Sequence, residues 1–212
     1  SHIAIETTFG NLRYFKRLPE GTECAVATSK VINLSDVFGD SDQTNKFVTR
    51  YLQSTHCDLF FADAAILVEG VAESMLLPHF IRSKFPELYQ RYITILGVNG
   101  RHAHRLSPLI EKLCLPTLVI TDLDPAEKEG YHKSVVPKRG EGQISGNYAI
   151  AKWLMKEKDI DKLVDYSEDK KEFSFASPYR FSIRLAYQTP VKVDFEGEEK
   201  EAIPGTFEDC LI

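Results

Sequence analysis

Through the middle of the chain, short unbroken apolar runs alternate with longer mixed segments. The runs "AAILV" (64–68), "YITIL" (92–96) and "TLVIT" (117–121) have the length and β-branched content of strands buried on both faces. The segments between them, 71 to about 84 and about 103 to 113, have helical length. The pattern βαβαβ predicts a parallel sheet covered by helices on both faces. In such sheets the carboxyl ends of the strands carry the ligand site, and Glu69 and Asp122 each directly follow a strand.

The flanks read differently. "NLRYFKRL" and "ECAVATSKVINL", joined by the turn-prone "PEGT", predict a hairpin or sheet edge. "TNKFVTRYLQSTHCDLFF" places Phe47, Tyr51, Leu52 and Leu59 at mostly helical spacing. Residues 127 to 146, rich in Gly, Lys and Arg, read as a long mobile loop, of a length at which function is a fair expectation. Asn147 is placed to cap a helix over "YAIAKWLMKEKD". Further on, Phe181, Ile183, Leu185 and Tyr187 alternate with polar or small residues as in a strand with one polar face. "EGEEKEAIPG" reads as a solvated turn and "TFEDCLI" as the start of a helix.

Composition narrows the class. With 212 residues, 43% of them apolar, the chain can bury a substantial core. No run approaches the roughly 18 to 20 apolar residues of a membrane span, and no basic-then-apolar leader opens the sequence, so the expectation is a soluble, cytoplasmic protein. Cys24, Cys57, Cys114 and Cys210 are dispersed, unlike zinc ligands or a disulfide scaffold. His102 and His104 lie two apart without a third ligand nearby, which points to solvent or substrate contact rather than a metal. A net charge of -5 argues against nucleic-acid binding by bulk electrostatics, unless the acids gather around bound cations.

The acids are the candidate chemistry. In "AILVEGVAESMLLPHF", Glu69 falls at a strand tip and Glu73 in the first helical turn, where side chains four apart converge. In "PTLVITDLDPAEKEG", Asp122 and Asp124 follow another strand. Glu73 alone also fits an acid complementing the helix dipole, and Asp124-Pro125-Ala126-Glu127 also fits a helix start with Asp124 as its cap. Neither reading explains Asp122. Four carboxylates at one crevice require hard cations to offset their repulsion, and oxygen-only ligation suits Mg²⁺ or Mn²⁺. Two such ions about 3.5 to 4 Å apart serve phosphodiester hydrolysis in many nucleases. Two other functions fit the same residues. One is an aspartate-nucleophile phosphohydrolase using Asp122 and Asp124, although that chemistry ordinarily sits after the first strand of its fold. The other is an interaction or regulatory domain without turnover.

The ordered pair, strand-Glu-Gly-x-x-Glu then strand-Asp-x-Asp, resembles the Toprim domain of topoisomerases, primases and several nucleases. More narrowly, the chain resembles the C-terminal nuclease region of the OLD (overcoming lysogenization defect) family, which includes the nuclease subunit of Gabija-type anti-phage defence. "RYLQSTHCDLFFADAAILVEGVAESMLLPHF", "ITILGVNGRHAHRLSPLIEKLCLPTLVITDLDP", "RLAYQTP" and "GTFED" carry the likeness. It implies an α/β fold with a Toprim-type parallel sheet flanked by helices, an N-terminal extension over 1–60, and a nuclease domain over 61–212 ending in a β/α addition. It also implies a metal-dependent endonuclease acting on DNA, with Glu69, Glu73, Asp122 and Asp124 at the metal and catalysis by Glu69, Asp122 and Asp124. Glu208 of "GTFED" is a further metal-site acid by the same likeness, or else a surface acid. Family members carry an N-terminal ATPase that drives dimerisation. No G-x-x-x-x-G-K-[S/T] loop is present here, so an ATPase would belong to a longer protein, with dimerisation through regions outside this chain. The family's functional lysine beyond "TFED" has no counterpart before Ile212. Lys133, Lys138 and Arg139 are candidates for DNA phosphate contact, with a solvated crossover as the bland alternative, and Arg184 and Gln188 are weaker candidates.

Overall fold

The computed structural model describes residues 11–18, 26–35, 37, 57–98, 102–128, 133–176 and 179–211. The helix expected over 44–61 lies largely outside them, with only a short 3-10 turn, Cys57–Phe60, described near its end.

The first described strands pair antiparallel, β1 (Arg13–Leu18) with β2 (Thr28–Asn33), as the two β-like runs predicted. The pair's anchor to the rest of the fold is specific. Lys16 Nζ donates to the carbonyls of Leu113 at 2.6 Å and Cys114 at 3.0 Å, which are left without helical partners at the end of a helix described below. Burial lowers the proton affinity of this lysine.

The predicted βαβαβ core then follows almost residue for residue. β3 (Ala64–Val68) leads through Gly70 into α1 (Val71–Lys84); a single-turn helix α2 (Pro86–Tyr89) precedes β4 (Ile93–Gly97). A 3-10 turn (Ala103–Leu106) and α3 (Ser107–Leu113) precede β5 (Thr117–Ile120). β3 pairs in parallel with both β4 and β5, so it is flanked by strands on both sides. Ala65, Ile66, Leu67 and Val68 are accordingly all buried, which explains a run without polar alternation.

Beyond β5 the expectations need correction. The segment expected as a long loop is tied at its base: β6 (Pro125–Ala126) pairs with β7 (Ile144–Ser145), and Ala126 also bridges Ser134. The helix expected after Asn147 is a single π-turn, Ala149–Trp153. Leu154 N bonds Ala149 O, Lys156 N bonds Ile150 O, and the left-handed backbone of Lys156 (φ 55°) ends it. Asp159 then caps the short α4 (Ile160–Val164) by accepting from Lys162 N.

β8 (Glu172–Phe175) and β9 (Phe181–Ala186) complete a mixed five-stranded sheet of order β4-β3-β5-β9-β8. β9 runs parallel to β5 and β8 antiparallel to β9, so four strands are parallel and one edge strand is reversed. Phe181, Ile183, Leu185 and Tyr187 bury the apolar face as predicted. The acidic stretch expected as a turn does turn, at Glu196 and Gly197, both at positive φ, but it also supplies the second strand of a hairpin, β10 (Val191–Phe195) with β11 (Glu198–Ala202). Residues after it form a 3-10 turn, Glu208–Leu211. No helix among the described residues is long and apolar enough to cross a membrane.

Candidate metal centre

Parallel pairing in register brings the ends of β3 and β5 to one edge, and with them Glu69 and Asp122. The two are in contact through the Asp122 backbone N–H, which donates to the Glu69 carboxylate. Thr121, between β5 and Asp122, donates its hydroxyl to Glu69 Oε1. Asn147 Nδ2 also donates to Glu69 Oε1 at 2.6 Å, to Thr121 Oγ1 at 2.8 Å and to Asp124 Oδ2 at 3.3 Å. Gln188, two residues past β9, donates its Nε2 to Asp122 Oδ1 and accepts the Leu123 N–H at 2.8 Å.

The simpler reading of Asp124 does not hold, and that of Glu73 is incomplete. Glu73 does lie in the first turn of α1, but it is 4% exposed and its Oε2 is buried without a hydrogen-bond partner among the described residues, which the helix dipole alone does not explain. Asp124 caps no helix: its backbone is left-handed (φ 48°) and the following Pro125 and Ala126 are strand. That conformation is uncommon outside glycine, and the Asp124 carbonyl holds it by accepting Gly146 N at 2.9 Å. Gly70 serves the site through space rather than φ: a Cβ there would lie 2.6 Å from Glu73 Oε2.

The acids feel one another. Burial is the main cause that lifts the Glu69 carboxyl to about 7; the Asn147 hydrogen bond opposes it, while the charges of Asp124 and Asp122 add to it. Burial likewise lifts Asp122 to about 6 against the Gln188 hydrogen bond, with Asp124, Glu73 and Glu208 contributing repulsion. Glu208 thus reaches the cluster electrostatically from an exposed position on the final 3-10 turn, whereas its neighbour Asp209 is occupied in accepting Gly205 N and Thr206 N.

Among the described residues no three His, Cys, Asp or Glu side chains close to cation-holding distance. The donor set still fits a hard divalent cation: the acids are oxygen donors, and one buried carboxylate oxygen is unsatisfied. A cleft of about 1190 Å³ opens beside Asp122 and Asp124, with Val135, Val191, Val193 and Phe207 in its wall.

The basic candidates are distributed differently. Arg139 pairs with Asp165 at 2.8 Å and Glu201 at 2.5 Å, tying the inserted segment to α4 and β11. Lys133 and Lys138 are exposed. Arg184 pairs with Glu168 at 2.9 Å. His104 meets Tyr148 edge-on at 5.4 Å. Two residues of the site carry a different signal in the sequence, Asn147 that of a helix cap and Gln188 that of a weak phosphate contact. Asn147 does accept Ala149 N at 2.9 Å, so the capping signal was real but incomplete.

A mostly parallel sheet with a glutamate after one central strand and an Asp-x-Asp after its neighbour defines an α/β domain of the Toprim type. Residues 60–124 match the family model of the overcoming lysogenization defect protein-like TOPRIM domain. The chain is also 27% identical, over 221 aligned residues, to an Endonuclease GajA from Bacillus cereus (strain HuB5-5). The alignment takes in all of this chain and 29% of that relative's length.

Proposed function

We propose that this chain supplies the nuclease centre of a divalent-metal-dependent DNA endonuclease, within a longer protein that also carries an ATPase. The observation that supports it most directly is the concentration of acids where β3 and β5 end, with Glu73 buried and partly unsatisfied among them. The similarity to an endonuclease along the whole of this chain adds independent support.

Under this reading Glu69, Glu73, Asp122 and Asp124 hold Mg²⁺ or Mn²⁺, with Glu208 as a further acid at the rim. Two such ions, when bound, lower the pKa of the attacking water and stabilise charge on the phosphodiester oxygens. The chain's own residues prepare that chemistry: Thr121 and Asn147 orient Glu69, and Gln188 orients Asp122. Lys133 and Lys138 are free to meet DNA phosphates from the inserted segment, while Arg139 serves first as a tie between elements. Function in anti-phage defence, a cytoplasmic location and dimerisation through other parts of the protein belong to the same proposal.

A second reading, a Toprim domain without turnover, draws on the fact that oxygens of Glu69 and Asp122 are already engaged by amides. Nicking of supercoiled plasmid separates the two. With Mn²⁺ or Mg²⁺ the wild type is expected to nick, Glu69→Ala and Asp122→Ala to lose about 100-fold or more of the rate, and Lys162→Ala, which removes only an exposed pair with Glu157, to retain it. Equal nicking by all four proteins, or none by the wild type, contradicts the nuclease reading.

A further inference from the structure

Asn147 is fully buried, and both ends of its amide are committed. Its oxygen accepts Ala149 N at 2.9 Å, which forces the nitrogen end toward Glu69, Thr121 and Asp124. Its backbone is pinned as well, because Asn147 N donates to Ser145 Oγ at 3.1 Å. Gln188 is 5% exposed and built on the same plan: its oxygen accepts Leu123 N, which forces its nitrogen toward Asp122. The preceding residue holds its backbone, since the Tyr187 hydroxyl donates to Leu163 O at 2.8 Å and the buried Lys171 ammonium lies 4.5 Å from the Tyr187 ring centre. In both residues a main-chain N–H selects which way the amide faces.

We propose that Asn147 and Gln188 are positioning residues for the acidic cluster, two neutral donors that hold Glu69 and Asp122 in place for a divalent cation without cancelling their charge. A lysine or arginine at either place would hold a carboxylate equally well but would neutralise it, and so compete with the cation. An amide donates without carrying charge. The proposal rests on the metal-binding reading above and adds to it two residues that act through Glu69 and Asp122 rather than as ligands themselves. Outer groups of this kind, when removed, cost 10- to 100-fold in metal affinity as a rule.

Isosteric substitutions separate positioning from a merely structural role. Asn147→Asp and Gln188→Glu keep an oxygen to accept Ala149 N and Leu123 N, and Asp serves as well as Asn in local backbone capping. Each replaces a donor facing an acid by a further acid. At pH 8 in EDTA both variants are expected to melt about 5 °C or more below wild type, and Mn²⁺ is expected to raise their melting temperature by more than it raises that of the wild type. Unchanged melting in EDTA means the amides serve only their backbone partners and overturns the proposal. A second measurement uses Asn147→Ser and Gln188→Met, which lack the amide, with folding checked by circular dichroism and Mn²⁺ affinity read by calorimetry. Affinity weakened by about 10- to 100-fold supports positioning. Affinity within threefold of wild type overturns it while leaving the metal site standing. No Mn²⁺ binding by the wild type overturns the metal reading and the positioning role together.

Discussion

Like charges at close quarters oppose folding unless something answers them, and the residues around Glu69 and Asp122 show the answer in atomic terms. Amide and hydroxyl donors from Asn147, Thr121 and Gln188 meet these carboxylates, yet burial and mutual repulsion still leave Glu69 at about 7 and Asp122 at about 6. Both sit above their unfolded values, so the folded, metal-free protein binds protons more tightly than the unfolded chain. The stability this gives is complete below about pH 4 and is lost as pH rises through 6 and 7. In EDTA, thermal unfolding followed from pH 5 to pH 8 is expected to show a falling melting temperature, with Glu69→Gln flattening the fall. Added Mn²⁺ is expected to stabilise more at pH 8 than at pH 5.5, because the cation binds the ionised acids. A melting temperature that climbs over this range in EDTA, in wild type as in Glu69→Gln, contradicts the assignment. At this scale the acids themselves were legible in the sequence, because each sits directly after a strand or a turn later. Asn147 and Gln188 were not, since an amide's partners are set by tertiary contacts 66 to 78 residues away in the chain. Asp124 misled for a related reason: its sequence context is that of a helix cap, but the ladder from Pro125 to Ser145 overrides it.

The elements that carry the site are those whose patterns were clearest. β3 is buried on both faces and β5 fully on one and partly on the other, so length and apolar continuity defined them, and Gly70 marks the junction where β3 becomes α1. That junction allows a sharp test. Gly70 has φ -123°, a conformation open to alanine, so Gly70→Ala is expected to change stability by no more than about 1 kcal/mol in urea unfolding. Its new Cβ would nevertheless meet the Glu73 carboxylate. Mn²⁺ affinity by calorimetry is therefore expected to fall about tenfold or more, and an unchanged affinity would remove Glu73 from the site. The elements that were missed share a physical trait: their structure does not depend on an apolar face. β10 alternates as Val191-Lys192-Val193-Asp194-Phe195, but its partner β11 runs through Glu198, Glu199, Lys200 and Glu201, all exposed, so no alternation betrays that second strand. The segment after Asn147 has helical composition, but a left-handed Lys156 and π-type bonding stop it after one turn.

For the molecule as a whole, the acidic balance and the proposed substrate are reconciled by position. The net charge of -5 includes the acids gathered at the end of β3 and β5, where a bound cation turns local repulsion into attraction for phosphate. Away from that edge, acids pair with bases: Asp165 and Glu201 with Arg139, and Glu168 with Lys171 and Arg184. The first of these sets ties the segment between β6 and β7 to the later elements, and Asn147 at the end of that segment reaches the acids. The insertion, the sheet edge and the chain after β9 therefore meet at one place. The measurement that tests this most directly is anomalous diffraction from crystals soaked in Mn²⁺. The account predicts manganese peaks within coordination distance of Glu69 and Asp122, with oxygens of Glu73 or Asp124 alongside. Ordered crystals that bind no manganese at this edge, or bind it only elsewhere on the surface, would contradict it.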